Sequence, residues 1–117
     1  MMMKKLVYLA TFALLFSCRG QFPRQNRLRE LVRHESTLIV DVRTPEEFGE
    51  GHIGNSVNIP LDVISEHVER LKPYASLIVV CRSGRRSAQA KTVLEEKDFT
   101  NVYDGGGWKE FESKIGK

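Results

Sequence analysis

Two stretches of this chain, Thr37-Leu38-Ile39-Val40 and Ser76-Leu77-Ile78-Val79-Val80-Cys81, are apolar without alternation. A strand with one face in water alternates apolar and polar side chains, whereas an unbroken apolar run of this length suits a strand buried on both faces. Such strands occur in parallel sheets, whose crossover helices cover both sides. The intervening segments carry the matching helical spacing: Leu28, Leu31 and Val32; Leu61, Ile64, Val68 and Leu71; Ala90, Val93 and Leu94. Thr44-Pro45-Glu46-Glu47 combines a Thr cap, a Pro at the first helical position and a Glu that can reach back to the cap, so a helix starts there. Ser56–Ile59, closed by Pro60, and Asn101–Tyr103 read as shorter strands. Gly105-Gly106-Gly107 reads as a turn into a last helix carrying Trp108 and Phe111. Strands separated by helices predict a three-layer α/β domain, a central parallel sheet flanked by helices with right-handed crossovers.

The 117 residues suffice for one domain of this kind and not two. With 41% hydrophobic and 28% charged residues, long disorder and a polytopic membrane protein are both excluded. Of 18 Lys and Arg residues, Lys4 and Lys5 lie in the first 17 positions; the 16 that remain face 15 acidic residues, so no nucleic-acid partner is expected. Two cysteines rule out a disulfide-rich scaffold and a zinc site built on several thiolates, and no His, Cys and carboxylate set has metal-ligand spacing; neither metal nor cofactor is expected.

The N-terminus reads as a targeting segment. Met1–Lys5 is short and positive, and Leu6–Phe16 is apolar apart from Thr11, too short for the roughly 20 residues of a membrane span. Leu15-Phe16-Ser17-Cys18 resembles a bacterial lipobox, whose cysteine is lipidated and becomes the mature N-terminus; plain secretion and an uncleaved anchor are the alternatives. The expected organisation is a signal peptide over 1–17, a lipidated N-terminus and tether over 18–26, and a domain over 27–117, in the cell envelope of a bacterium, exported and tied to a membrane facing the periplasm.

Chemistry is expected where the strongest strand ends. Ligands of open parallel sheets bind beyond the carboxyl ends of the strands, where helix N-termini point free N–H groups outward. Cys81 sits at such an end, followed by Arg82-Ser83-Gly84-Arg85-Arg86-Ser87 and then a helix. The short turn with its Gly lets backbone N–H groups converge on the sulfur, the helix adds its positive end, and three guanidiniums crowd near. Each favours the thiolate, the nucleophilic form. A cysteine ending an apolar strand is ordinarily core filler, but core filler needs no arginine-rich loop after it.

Asp41-Val42-Arg43-Thr44-Pro45-Glu46-Glu47-Phe48, then Gly51-His52-Ile53 and Asn58-Ile59-Pro60, resemble the N-terminal signature of the rhodanese-like domain family. Cys81–Ser87 is similar to that family's active-site loop, and Gly105-Gly106-Gly107-Trp108 to its C-terminal signature. The order and spacing match from about Leu28 to Phe111, with the small periplasmic thiosulfate sulfurtransferases of the phage-shock type as the most similar members. The resemblance implies a five-stranded parallel sheet, the first strand of which would lie near Gln21–Pro23. The family commonly has Gly where Asn55 stands, which implies a left-handed turn that Asn tolerates.

The related phosphatase and arsenate-reductase loops hold one residue more; here an arginine, Arg86, falls five positions after Cys81, a cradle sized for one sulfur atom. The resemblance therefore implies sulfur transfer in two steps. The Cys81 thiolate takes a sulfane sulfur from a small anionic donor such as thiosulfate, and the persulfide then passes it to cyanide or a thiol. Arg82, Arg85 and Arg86 would guide the anion, with Arg86 facing the loop and the other two more exposed, while Ser83, Gly84 and Ser87 would hold the persulfide. Ser87 is alternatively a helix cap. Asp41, Arg43, Glu47 and His52 are expected to brace the loops: Asp41 by tying backbone, Arg43 by pairing with Glu47, His52 by satisfying its own turn. Trp108 is expected to pack the last helix onto the sheet, with a place on the pocket rim as the less favoured alternative. A non-enzymatic persulfide carrier and, less favoured, a phosphatase-like hydrolase are the alternative functions, and a monomer is the expected state.

Overall fold

The computed structural model describes residues 24–116. The signal segment, Cys18, the proposed first strand near Gln21–Pro23 and most of the tether lie outside the described residues. In chain order the elements are α1 (Arg24–Val32), β1 (Thr37–Asp41), α2 (Pro45–Glu50), β2 (Ser56–Asn58), a 3-10 helix (Leu61–His67) running into α3 (Val68–Leu71), β3 (Ser76–Cys81), α4 (Arg85–Glu96), β4 (Val102–Gly107) and α5 (Trp108–Lys114). Arg24–Asn26, assigned to the tether above, belong to α1, because the helical backbone begins before its first apolar contact at Leu28.

The sheet order is β2-β1-β3-β4 with every pair parallel, which makes four strands among the described residues. Successive side chains of β1 and β3 point to opposite faces, so each run feeds two cores. Leu38, Val40, Leu77 and Val79 join Ile64, Leu71, Ala90 and Leu94 on the side of α4 and the 3-10 helix. Ile39, Ile78 and Val80 join Ile53 and Phe111 on the other, where α1 contributes Leu28, Leu31 and Val32. Double-sided burial is why neither central run alternates. At roughly 25 cal/mol for each Å² of apolar surface removed from water, this sandwich is the main force holding the domain together.

The structure departs from expectation at the glycines. Gly105–Gly107 are not a turn: β4 runs on through Gly107, pairing Val80 with Gly106 and Cys81 with Gly107 after a bulge between Val79 and Val80. Strand propensity is low for glycine, but the β3 ladder supplies the hydrogen-bond partners that decide the matter. Asn55 does take the left-handed conformation, with φ of 68°. All four strands run the same way, so Asp41 and Cys81 emerge on one edge, at the carboxyl ends of the two central strands.

Candidate active site

The site is built around the turn that joins β3 to α4. Gly84 caps α4 with φ of 98°, a conformation that side-chain-bearing residues adopt at a cost. That fold-back aims two backbone N–H groups at one atom: Gly84 N lies 3.0 Å and Ser87 N 3.3 Å from Cys81 Sγ. The Ser87 hydroxyl stands 3.6 Å from the sulfur and 3.0 Å from the Gly84 carbonyl, so its single hydrogen can serve that carbonyl beside the thiol or turn to the sulfur of the thiolate. Ser87 is therefore no helix cap; Gly84 holds that position, and Ser87 is fully buried between the loop and the sulfur.

Cys81 itself is only 1% exposed, its strand side set in the apolar core, its sulfur against the amides of the loop. Burial pushes its thiol pKa up, but the Ser87 hydroxyl and the backbone N–H groups of Ser87, Ser83 and Gly84 outweigh that effect and bring it below the ordinary value. The converging amides act as expected and a hydroxyl joins them, whereas the three guanidiniums are not among the foremost causes. Arg82 and Arg85 are exposed, and Arg86 is half-buried in a two-pronged pair with Glu47 at 2.7 and 3.0 Å. Ser83 is exposed and acts on the sulfur through its backbone.

That pair links the active-site loop to α2. Glu47 is the reciprocal member of the capping box at the start of α2: Thr44 Oγ1 accepts from Glu47 N at 3.2 Å and Thr44 N donates to Glu47 Oε1 at 3.1 Å. One carboxylate thus closes the helix end and holds Arg86. Hydrogen bonding from Arg86 foremost brings its pKa from 4.5 down to about 2. A lowered carboxyl pKa stabilises the fold above pH 4.5 and loses that contribution as pH falls toward 2. Glu47→Gln keeps the capping box and weakens only the pair with Arg86. Urea unfolding is expected to show about 1–2 kcal/mol less stability at neutral pH and a shallower acid-side decline than wild type.

Arg43 does not pair with the Glu47 carboxylate as expected. Its guanidinium is buried and grips Asp41 through Nε at 2.9 and 3.0 Å and Nη2 at 2.8 Å, while donating to the carbonyls of Gly51 at 2.7 Å and Glu47 at 3.3 Å. Asp41 also accepts the Arg43 backbone N–H at 3.0 Å. The aspartate therefore ties the loop after β1 rather than the active-site loop. Asn58, to which no role was assigned from the sequence, donates to the carbonyls of Asp41 and Arg43 at 3.0 and 2.9 Å and completes the brace. Its place at the end of a strand in Asn-Ile-Pro was the available signal. His52 is exposed, stacked on Phe48 with ring centroids 3.7 Å apart, its Nδ1 2.8 Å from the Phe48 carbonyl; it supports its own turn and stays apart from the loop.

This arrangement can hold a sulfur-centred anion on converging amides at the head of a helix. The family profile for the rhodanese-like domain matches residues 24–114. The chain belongs to the rhodanese-like domain family. Its relatives include the thiosulfate sulfurtransferase PspE of Escherichia coli, 37% identical over 73 residues that span 61% of this chain and 70% of the relative. The thiosulfate sulfurtransferase GlpE of Pseudomonas syringae is 33% identical, over 66% of this chain and 74% of its own. Among solved structures, a rhodanese from E. coli with anions superimposes with a TM-score of 0.60 at 36% identity, covering 63% of this chain and 89% of that one.

In this rhodanese-like domain a cleft of about 710 Å³ opens beside the loop, its wall including Arg43, Glu47, Gly51, Arg82, Trp108 and Lys109. Trp108 does more than pack α5: its ring carries the Arg43 guanidinium 4.8 Å from its centroid and forms part of the cleft. The close approach of β4 to the loop depends on Gly107, where a Cβ would meet the Arg82 carbonyl oxygen at 2.9 Å. Gly107→Ala is expected to lower turnover roughly ten-fold or more by displacing the loop, while circular dichroism and urea unfolding report a folded domain about 1–3 kcal/mol less stable.

Proposed function

We propose that this rhodanese-like domain is a sulfurtransferase that carries sulfane sulfur as a persulfide on Cys81. The Sγ thiolate attacks the outer sulfur of a donor such as thiosulfate, the S–S bond of the donor breaks, and sulfite leaves with the electron pair. The persulfide then lies among the N–H groups of Ser83, Gly84 and Ser87 until an acceptor, cyanide or a thiol, takes its outer sulfur. The exposed Arg82 and Arg85 draw the dianion toward the loop through their field, and Arg86, its charge matched by Glu47, ties the loop to α2. The observation that carries this reading is the pair of N–H contacts on Sγ, from Gly84 at 3.0 Å and Ser87 at 3.3 Å. Export and lipidation at Cys18 belong to the same proposal, supported by the charged, apolar and small-residue order of residues 1–18.

The test is an intact mass of the purified domain after thiosulfate. The expected result is a gain of one sulfur atom, discharged catalytically by cyanide and absent from Cys81→Ser. An adduct that cyanide leaves in place points to a carrier, and no adduct with hydrolysis of an aryl phosphate points to a hydrolase; either overturns the proposal.

A further inference from the structure

The cleft beside the loop is larger than a thiosulfate ion needs, and its charges are the wrong mixture for one. Arg43 and Glu47 on its wall are engaged with Asp41 and Arg86. Four further charged side chains line it, Arg82 and Lys109 against Glu50 and Glu110, all exposed and in no ion pair among the described residues. Two carboxylates repel a compact dianion. They suit a ligand that brings its own ammonium group. Trp108 adds an aromatic wall, with Lys109 Nζ 5.6 Å from the ring centroid, and the volume of about 710 Å³ falls in the range of organic-ligand sites. The cleft also opens at the strand ends from which the active-site loop departs. Cys81 is paired with Gly107 across the β3–β4 ladder, and the residue that follows each of them, Arg82 and Trp108, lines it.

We propose that this cleft is the acceptor site, and that it takes an amino-acid-type thiol carrying both a carboxylate and an ammonium group. The inference rests on the sulfurtransferase reading above. Lys109 and Arg82 receive the carboxylate, Glu50 and Glu110 the ammonium, and Trp108 the carbon chain. The acceptor thiolate forms a bond to the outer sulfur of the Cys81 persulfide. The bond between that sulfur and Sγ breaks, its electron pair returns to Sγ as thiolate, and the proton on the transferred sulfur goes with it. No oxidant is consumed.

The experiment compares four acceptors on the thiosulfate-loaded domain, with concentrations expressed as thiolate: cysteine, cysteamine (no carboxylate), 3-mercaptopropionate (no ammonium) and 2-mercaptoethanol (neither). Cysteine is expected to show the lowest acceptor KM. Lys109→Gln is expected to raise KM roughly two- to five-fold for cysteine and 3-mercaptopropionate and leave cysteamine unchanged, the size an exposed charge contact supports. Glu50→Gln combined with Glu110→Gln is expected to raise it for cysteine and cysteamine and leave 3-mercaptopropionate unchanged. Equal KM for all four thiols, or variants that shift all four alike, overturns the proposal. Persulfide loading, followed by mass in every variant, separates this failure from that of the sulfurtransferase reading, which shows as no loading at all.

Discussion

Sulfite release from thiosulfate by Cys81→Ser is expected to fall to the uncatalysed background, a loss of about 10³-fold or more, because no second cysteine stands among the described residues to form the covalent intermediate. The hydroxyl that replaces the thiol is both a poorer nucleophile and nearly un-ionised at neutral pH. The companion measurement is alkylation of wild-type Cys81 as a function of pH. Its pKa lies below the ordinary thiol value, so the rate should reach its plateau at lower pH than for a free cysteine and fall only as pH drops through the depressed value. Among the groups that lower it, the Ser87 hydroxyl ranks first. Ser87→Ala is therefore expected to move the inflection upward, toward the free-thiol range, while the two amide contacts keep part of the effect. An inflection unmoved in Ser87→Ala, or a wild-type plateau at the free-cysteine pH, contradicts the assignment.

The second large effect is on stability. Asp41 is 0% and Arg43 5% exposed, joined at 2.8 Å. Removing one partner of a buried pair leaves the other charge without compensation, a loss of about 3–5 kcal/mol. Asp41→Ala should accordingly lower the urea-unfolding free energy by that amount and Tm by roughly 15 °C or more. The cost arises from an orphaned guanidinium rather than from a lost attraction. Replacing both residues by apolar ones of similar volume should therefore recover much of the stability, at the expense of the Gly51 and Glu47 carbonyls that Arg43 now serves. If the single and double variants unfold alike, burial of the charge is not the cause.

Much of this molecule was legible before any coordinates. The runs at Thr37–Val40 and Ser76–Cys81 became the two central strands, since each buries side chains on both faces. Thr44-Pro45-Glu46-Glu47 became a capped helix with both reciprocal hydrogen bonds. These are local signals, written within four to six neighbouring residues. Gly105–Gly107 misled because a glycine run looks like a turn until a partner strand supplies its ladder. The partner of Arg43 misled for a related reason: Glu47 is close in sequence, but Arg86, 39 residues on, claims its carboxylate.

From the amino-acid order alone came the class of fold, the cysteine at the strand end, and the arginine-rich loop that follows it. Apolar periodicity and backbone chemistry act over a few residues and leave their mark in the order itself. Only the folded chain decided which groups lower the Cys81 pKa, which carboxylate each arginine faces, and that Glu50, Lys109 and Glu110 share a cleft with Arg82. Those outcomes depend on distances between segments far apart in sequence. An ångström changes such an interaction, and no short stretch of residues encodes it.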